Sequence, residues 1–243
     1  MTEYTYLLVN FFTVIIPLLF SFHPRLRFYK AWRAFFPAVI LSGLVFIVWD
    51  AYFTSIGVWG FNDQYLTGIR IGNLPVEEVL FFFCIPYACV FTYYCLSLLI
   101  KIDMAQKWED RVTWVLVSVL FIFGFVYYQR VYTVTTFWGL MILLLFTRYI
   151  LKSRWLGRFY IVYALLLLPF LIVNGVLTGS GLESPVVWYN ESEIMGYRIG
   201  TIPVEDVFYG MGLILLNLLI FLPLLEKLKP ELRRELVIHS KQL

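Results

Sequence analysis

Seven stretches of mostly apolar residues, at 4–22, 34–56, 75–100, 112–128, 133–151, 159–177 and 203–225, divide the chain. A helix needs about 20 such residues to cross a hydrocarbon core about 30 Å thick. In lipid, helices and closed barrels are the only backbone forms that satisfy their own hydrogen bonds. The pattern therefore predicts an all-α integral membrane protein of seven transmembrane helices. Composition agrees, with 61% hydrophobic and 14% charged residues among 243, against about 25% charged in a soluble domain. A water-soluble monomer would lack the charge to cover its surface, and the apolar content excludes disorder. The three Cys all fall in the third stretch, which excludes a disulfide scaffold. The first stretch is not read as a cleaved leader, since Glu3 stands where a basic segment belongs and no small-residue cleavage site follows.

Lys and Arg set the expected orientation. Arg25, Arg27, Lys30 and Arg33 follow the first span; Lys101, Lys107 and Arg111 the third; Arg148, Lys152, Arg154 and Arg158 the fifth; and Lys227, Lys229, Arg233, Arg234 and Lys241 the seventh. Of the 19 basic residues only Arg70, Arg130 and Arg198 fall on the opposite side. This puts the C-terminus in the cytoplasm and the N-terminus outside, in an integral protein of the cytoplasmic (inner) membrane. The net charge of +3 then reflects topology. Basic residues are not interleaved with aromatics on one face, so nucleic acid is not an expected partner.

An internal repeat organises the chain. Trp59-Gly60-Phe61-Asn62-Asp63 and Gly68-Ile69-Arg70-Ile71-Gly72-Asn73-Leu74-Pro75-Val76-Glu77-Glu78-Val79 return as Trp188-Tyr189-Asn190-Glu191 and Gly196-Tyr197-Arg198-Ile199-Gly200-Thr201-Ile202-Pro203-Val204-Glu205-Asp206-Val207. From Asn62 and Asn190 onward the offset is a constant 128 without gaps. Both copies lie on the outer side and lead into a span, which gives a 3+1+3 layout. The extra fourth helix restores the orientation of the second unit, so the repeat is parallel, about an axis along the membrane normal. One membrane domain is expected over 1–243, with a first three-helix half at 1–100, a linking helix at 112–128 and a second half at 133–225. Pro75 and Pro203 suit the first helical position, whose N–H has no partner in any case. The acids that follow fall where the helix dipole favours negative charge.

Asp50, Glu77, Glu78, Glu205 and Asp206 are the acids in or at the rim of the spans, and intramembrane ionisable groups are candidate functional sites. First-turn capping explains one isolated Pro-x-Glu. It leaves unexplained a doubled acid pair repeated in both halves with an Arg seven residues upstream. Neighbouring helix positions lie about 100° apart, so one carboxyl of each pair can face the bundle while the other pairs with Arg70 or Arg198. That would set an acid beside a base. Asn62, Asn190 and Asn174 are further candidates for orienting the acids, as is Asp50 itself. No metal constellation is expected: His23 and His239 lie near opposite ends. Cys84, Cys89 and Cys95 read as small core residues. Gly179-Ser180-Gly181 follows an apolar helix and not a strand, so a dinucleotide fingerprint is unsupported. Carboxylic acids in an aromatic-rich apolar setting suit protonation of a carbon–carbon double bond, with π faces stabilising the cation and a neighbouring carboxylate removing the later proton.

At these residues the chain resembles the cofactor-free membrane lycopene cyclases: the heterodimeric carotenoid cyclases, the cyclase half of the fungal fusion enzyme, and single-chain forms. The hallmark is a repeated Pro-x-Glu-[Glu/Asp] opening a transmembrane helix, here Pro75-Val76-Glu77-Glu78 and Pro203-Val204-Glu205-Asp206, with Phe81-Phe82-Phe83-Cys84-Ile85-Pro86-Tyr87 continuing the first copy. The resemblance implies a redox-neutral isomerisation of the linear ψ-ends of lycopene to β-ionone rings, through γ-carotene to β-carotene, without a cofactor. It implies that Glu77, Glu78, Glu205 or Asp206 protonates C2 of the end group. Trp59, Phe81, Phe82, Trp188 and Tyr209 are the candidates for lining the substrate site, although Trp59 and Trp188 serve equally as interface anchors and aromatic stripes also pack. Expected partners are a carotenoid and the lipid bilayer. Two alternatives stay open: a cyclase of the same family that acts on C50 carotenoids or on one end only, and a non-enzymatic membrane carrier. Few Gly or Pro breaks in mid-span, and acids near one face, stand against the carrier.

Overall fold

The computed structural model describes residues 2–100 and 103–232. Lys101, Arg233, Arg234, His239 and Lys241, which entered the reading above, lie outside these residues. The described chain forms α1 (Thr5–Phe20), α2 (Trp32–Ser55), α3 (Val76–Leu99), α4 (Gln106–Val126), α5 (Val131–Leu145), α6 (Leu156–Leu177) and α7 (Val204–Leu228), with a π turn at Phe146–Ile150 extending α5. The helical segments that contain α1, α2, α3, α5, α6 and α7 are long and apolar enough to cross a membrane. The expected fourth span is a helix, but α4 is not one of the six; Lys107, Glu109, Asp110 and Arg111 crowd its first two turns. Pro17, Pro37, Pro86, Pro169 and Pro223 lie inside helices that continue through them. Phe12, Ile16, Val48, Phe125 and Leu168 point outward and are exposed, as lipid-facing side chains of a multi-pass membrane protein must be.

Helix α2 packs along α7, α1 along α3, and α5 along both α4 and α7. Aromatic rings fill much of the space between them. The fully buried Phe28 meets Phe35, Tyr87, Phe91 and Tyr94 at centroid distances of 5.2–5.8 Å.

Short strands organise one end of the helix bundle. Strand β2 (Arg70–Ile71) pairs with β3 (Leu74–Pro75), and β5 (Arg198–Ile199) with β6 (Ile202–Pro203), each closing a two-residue hairpin. Gly72 and Gly200 have φ +64° at the first loop position, and neither Asn73 nor Thr201 has positive φ; this is the II′ pattern, which matches strand twist. The prolines sit one position earlier than expected, as extended N-caps and not as first helical residues. Their place in the hairpin explains the shift. Pro75 pairs with Arg70, and the next N–H, of Val76, donates back to Ile69 O at 2.9 Å; Val204 and Tyr197 repeat this at 3.0 Å.

Strand β1 (Trp59–Phe61) pairs antiparallel with β4 (Val187–Tyr189), joining the loop between α2 and α3 to the loop between α6 and α7. Gly60 faces Trp188, 128 positions further along the chain. Two backbone bonds extend the ribbon reciprocally, from Asn62 N to Val186 O at 2.9 Å and from Asn190 N to Val58 O at 2.8 Å.

At the other end of the bundle α4 is fastened by charge. Arg148 pairs with Glu109 at 3.1 Å and Asp110 at 2.7 Å, and Glu109 also accepts from the Gly157 N–H at 2.8 Å. Removing one partner of a buried pair leaves an uncompensated charge, whereas removing both is far less harmful. Arg148→Met should therefore cost about 3 kcal/mol of stability, read as a fall in melting temperature in detergent, and adding Glu109→Gln should restore much of it.

Candidate active site

Beneath the β1–β4 ribbon lies a cavity of about 650 Å³, walled by α1, α2, α3, α6 and α7 with Tyr132 of α5. Three carboxyl groups reach it from three helices: Asp50 of α2, Glu78 of α3 and Asp206 of α7. They are 2%, 8% and 5% exposed. Burying a carboxyl group in an apolar bundle is tolerable only with hydrogen-bond donors at hand, and each has them. Trp59 Nε1 donates to Asp50 Oδ1 at 2.5 Å, and Tyr6 Oη to Glu78 Oε2 at 2.5 Å. Asp206 receives two hydroxyls, Tyr132 on Oδ1 at 2.6 Å and Tyr189 on Oδ2 at 2.9 Å. Asp50 Oδ2 is buried without a hydrogen-bond partner.

The neighbouring acids of the two pairs turn the other way. Glu77 and Glu205 are fully buried and do not line the cavity. Glu77 Oε1 accepts from the Thr67 N–H at 2.7 Å, and Glu205 Oε1 from the Met195 N–H at 2.6 Å, the same contact 128 residues on; Thr133 Oγ1 adds a second donor to Glu205 at 2.6 Å. Asn10 Nδ2 donates to the Glu77 carbonyl at 2.7 Å. These two glutamates hold the preceding loops onto the helix starts. Each doubled acid thus divides, by the 100° step of the helix, into one group that grips the loop and one that faces the cavity.

Aromatic rings box in the cavity-facing acids. Trp59 lies 5.0 Å from Tyr132, 6.2 Å from Tyr189 and 6.3 Å from Tyr209, mostly edge to face. Behind Tyr209 stand Phe46 at 5.0 Å and Trp49 at 5.3 Å. Phe81 joins from α3, in edge contact with Tyr6 at 6.2 Å. An aromatic enclosure of this kind offers electron-rich faces to a cation.

Of the residues singled out from sequence, Asp50, Glu78, Asp206, Trp59, Phe81, Tyr209 and Asn174 line the cavity. Phe82 is buried in the packing beside it and Trp188 lies outside. The expected pairing of Arg70 and Arg198 with the acid pairs is not observed. Each closes its own hairpin instead: Arg70 reaches Asp63 at 2.5 Å and the Asn73 carbonyl at 3.2 Å, and Arg198 reaches Glu191 at 2.5 Å and the Thr201 carbonyl at 2.7 Å. Asp63 and Glu191 lie in the same loops as the arginines and are themselves well exposed, so pairing there desolvates the guanidinium less than pairing with a buried acid would. Asn62 and Asn190 also serve the loops, accepting from Gln64 N and Ser192 N and donating to Ser184 Oγ and Gly57 O. Asn174 Nδ2 donates to the Phe170 carbonyl one turn back and contacts none of the acids by hydrogen bond.

Tyr6, Tyr132 and Tyr189 are what the sequence reading missed. Tyr6 and Tyr132 each open the first helix of a half and donate to the cavity-facing acid of that half. Their offset is 126 and not 128, and they lie where the two halves no longer match. Tyr189 was passed over for Trp188 because alternation along a strand flips faces with a single residue. Trp59, Phe61, Val187 and Tyr189 form the inner face of the ribbon, while Gly60 and Trp188 form the outer. The Tyr189 hydroxyl is raised well above the ordinary phenol value, first by burial and then by the charge of Asp206 beside it, which keeps it a proton donor in that bond.

Among the described residues no group of three or more His, Cys, Asp and Glu could hold a metal ion. Residues 3–96 and 129–224 match the family model described as lycopene cyclase, which together is most of the chain. Comparison with curated proteins and with solved structures gives no match.

Removing one hydroxyl donor from Asp206 should weaken the site without unfolding it. Tyr132→Phe and Tyr189→Phe are each expected to lower turnover roughly tenfold to a hundredfold. Because both act on one carboxyl group, the double variant should lose less than the product of the two effects; turnover assays on purified protein in lipid vesicles measure this directly.

Proposed function

The chain belongs to the lycopene cyclase family, and from that premise we propose that it is a lycopene β-cyclase, an intramolecular lyase or isomerase of carotenoid biosynthesis. The observation that carries the reading is the convergence of Asp50, Glu78 and Asp206 on one aromatic-walled apolar cavity. In the proposed reaction a carboxylic acid delivers a proton to C2 of a ψ-end, leaving a cation at C1. The C5=C6 π electrons form the C1–C6 bond, which moves the cation to C5. A carboxylate then takes the C6 proton and the C5=C6 bond returns. Atoms and charge balance, and the reaction is redox-neutral, so it needs no electron carrier.

Hydrogen bonding suggests the division of roles. An ionised carboxylate only accepts hydrogen bonds, and Asp206 already accepts one on each oxygen, which suits the base. Asp50 has its free Oδ2 available for a proton, which suits the donor. Glu78, held by Tyr6 alone, is the further acid through which the proton returns from base to donor. Trp59, Tyr132, Tyr189 and Tyr209 present ring faces and edges to the intermediate and keep water from quenching it.

The membrane arrangement proposed with this function is the parallel repeat about an axis along the membrane normal, with the N-terminus outside, the C-terminus cytoplasmic, α4 as the linking helix and the protein in the cytoplasmic membrane. Three things support it: the distribution of Lys and Arg, the contacts that recur at an offset of 128, and the reciprocal backbone bonds of the β1–β4 ribbon. Residues 97–128, between the two matched segments, contain all of α4.

Expression in cells that accumulate lycopene, followed by pigment chromatography, tests the reading. Bicyclic carotene is the expected product; unchanged pigment overturns the cyclase reading, and a product with one ring restricts it to a monocyclase. Asp50→Asn, Glu78→Gln and Asp206→Asn should each lower turnover by roughly 10²-fold or more, the usual scale for loss of a general acid or base. Glu77→Gln and Glu205→Gln, which keep the oxygen that accepts from the loop, should retain most of it. Full activity in all three cavity-facing variants would end the acid–base account.

A further inference from the structure

The two halves pack unequally, and the inequality opens the cavity to one side. Helices α2 and α6 hold corresponding places in the repeat proposed above, each following the first helix of its half. Yet α2 lies closely along α7, whereas α6 touches α3 only lightly and α1 barely at all. Between α2 and α7 the space is filled: Phe46 packs on Phe82, Trp49 and Tyr209. A Cβ on Gly212 of α7 would sit 3.9 Å from Phe46. Between α6 and the α1–α3 pair the cavity runs through. Its lining there includes Phe12 and Ile16 of α1 and Ile172 of α6, at 66%, 62% and 66% exposure, so it reaches the lipid-facing surface. Ala88 and Thr92 of α3 and Val173 of α6 border the same passage.

We infer that a polyene reaches the acids sideways from the lipid through the gap between α1, α3 and α6, and that both of its ends are cyclised in turn in this one chamber. The inference rests on the cyclase reading and concerns its substrate path. A linear polyene cannot coil into a chamber of this size; while one end group lies against Asp50 and Asp206, the rest of the chain has to leave by an apolar route. The α1–α3–α6 gap is continuous with the acids and lined by apolar side chains, whereas the corresponding route past α2 is blocked by Phe46 and Trp49. All three cavity-facing acids serve this chamber, although they come from both halves, so the duplicated motif builds one site and not two. A substrate with two ends must then withdraw after the first ring closes and return with the other end foremost.

Two measurements on the full-length protein in lipid vesicles decide this. Ala88→Phe and Val173→Phe narrow the gap from opposite walls and should each cut turnover of lycopene roughly tenfold or more, since small displacements from productive geometry carry penalties of that order. Val48→Phe, on the lipid-facing side of α2 at 68% exposure, should leave turnover within about twofold of wild type. Wild-type turnover in both narrowed variants would overturn the side path. The second measurement needs no variant. Isotopically labelled lycopene is converted in the presence of excess unlabelled one-ringed carotene, and the label in the bicyclic product should fall in proportion to the added pool. Undiluted label would mean that both rings close without release, which overturns the single-chamber sequence. A wild-type protein that leaves lycopene unchanged would instead fail the underlying cyclase reading, so the two failures are distinguishable.

Discussion

A carboxyl group placed where water cannot reach it has to be met by donors from the protein itself, and the hairpin-bearing end of this bundle is arranged around that requirement. Glu77 and Glu205 meet it by capturing backbone N–H groups ten residues upstream, which folds each connecting loop back onto the start of the helix that follows. Pro75 and Pro203 make the loop-to-helix turn abrupt, because each is extended and brings no N–H of its own. With the loops pinned, β1 and β4 meet and form the roof of the cavity. The same buried carboxyl groups therefore help to hold both the loops and the roof of the chamber.

The duplicated acid pair solves two problems with one short motif. Its first carboxyl group stabilises the loop, and its second, about 100° around the helix, is left to face the interior. Tyrosines from the first helix of each half then meet the interior group, so the side chains that hold the acids also furnish the ring faces around them. The cavity-facing and loop-holding acids thus stand one residue apart along the sequence.

Much of the fold could be read from the sequence, because apolar runs of helical length and an exact 128-residue offset are strong signals. The helices begin and end within a few residues of the expected spans in most cases, although α4 begins six residues before its apolar stretch, at Gln106. What escaped depended on details finer than pattern. The partners of Arg70 and Arg198 were set by the cost of desolvation, which favoured the exposed Asp63 and Glu191 over buried acids. Tyr6 and Tyr132 were hidden by a two-residue drift between the halves, and Tyr189 by a one-residue step along a strand. The opening beside α6 could not be anticipated at all, since it arises from how closely two equally apolar helices happen to pack.

The central claim is that ring closure starts with a proton delivered by a carboxylic acid of the chamber. Mass spectrometry of the product of a single turnover, with protein equilibrated beforehand in deuterium oxide, tests it most directly. Transfer from an exchanged acid to C2 places one deuterium at that carbon of the first ring formed. A first ring that forms without deuterium would contradict the account, because the hydrogen at C2 would then have come from somewhere other than an exchangeable acid.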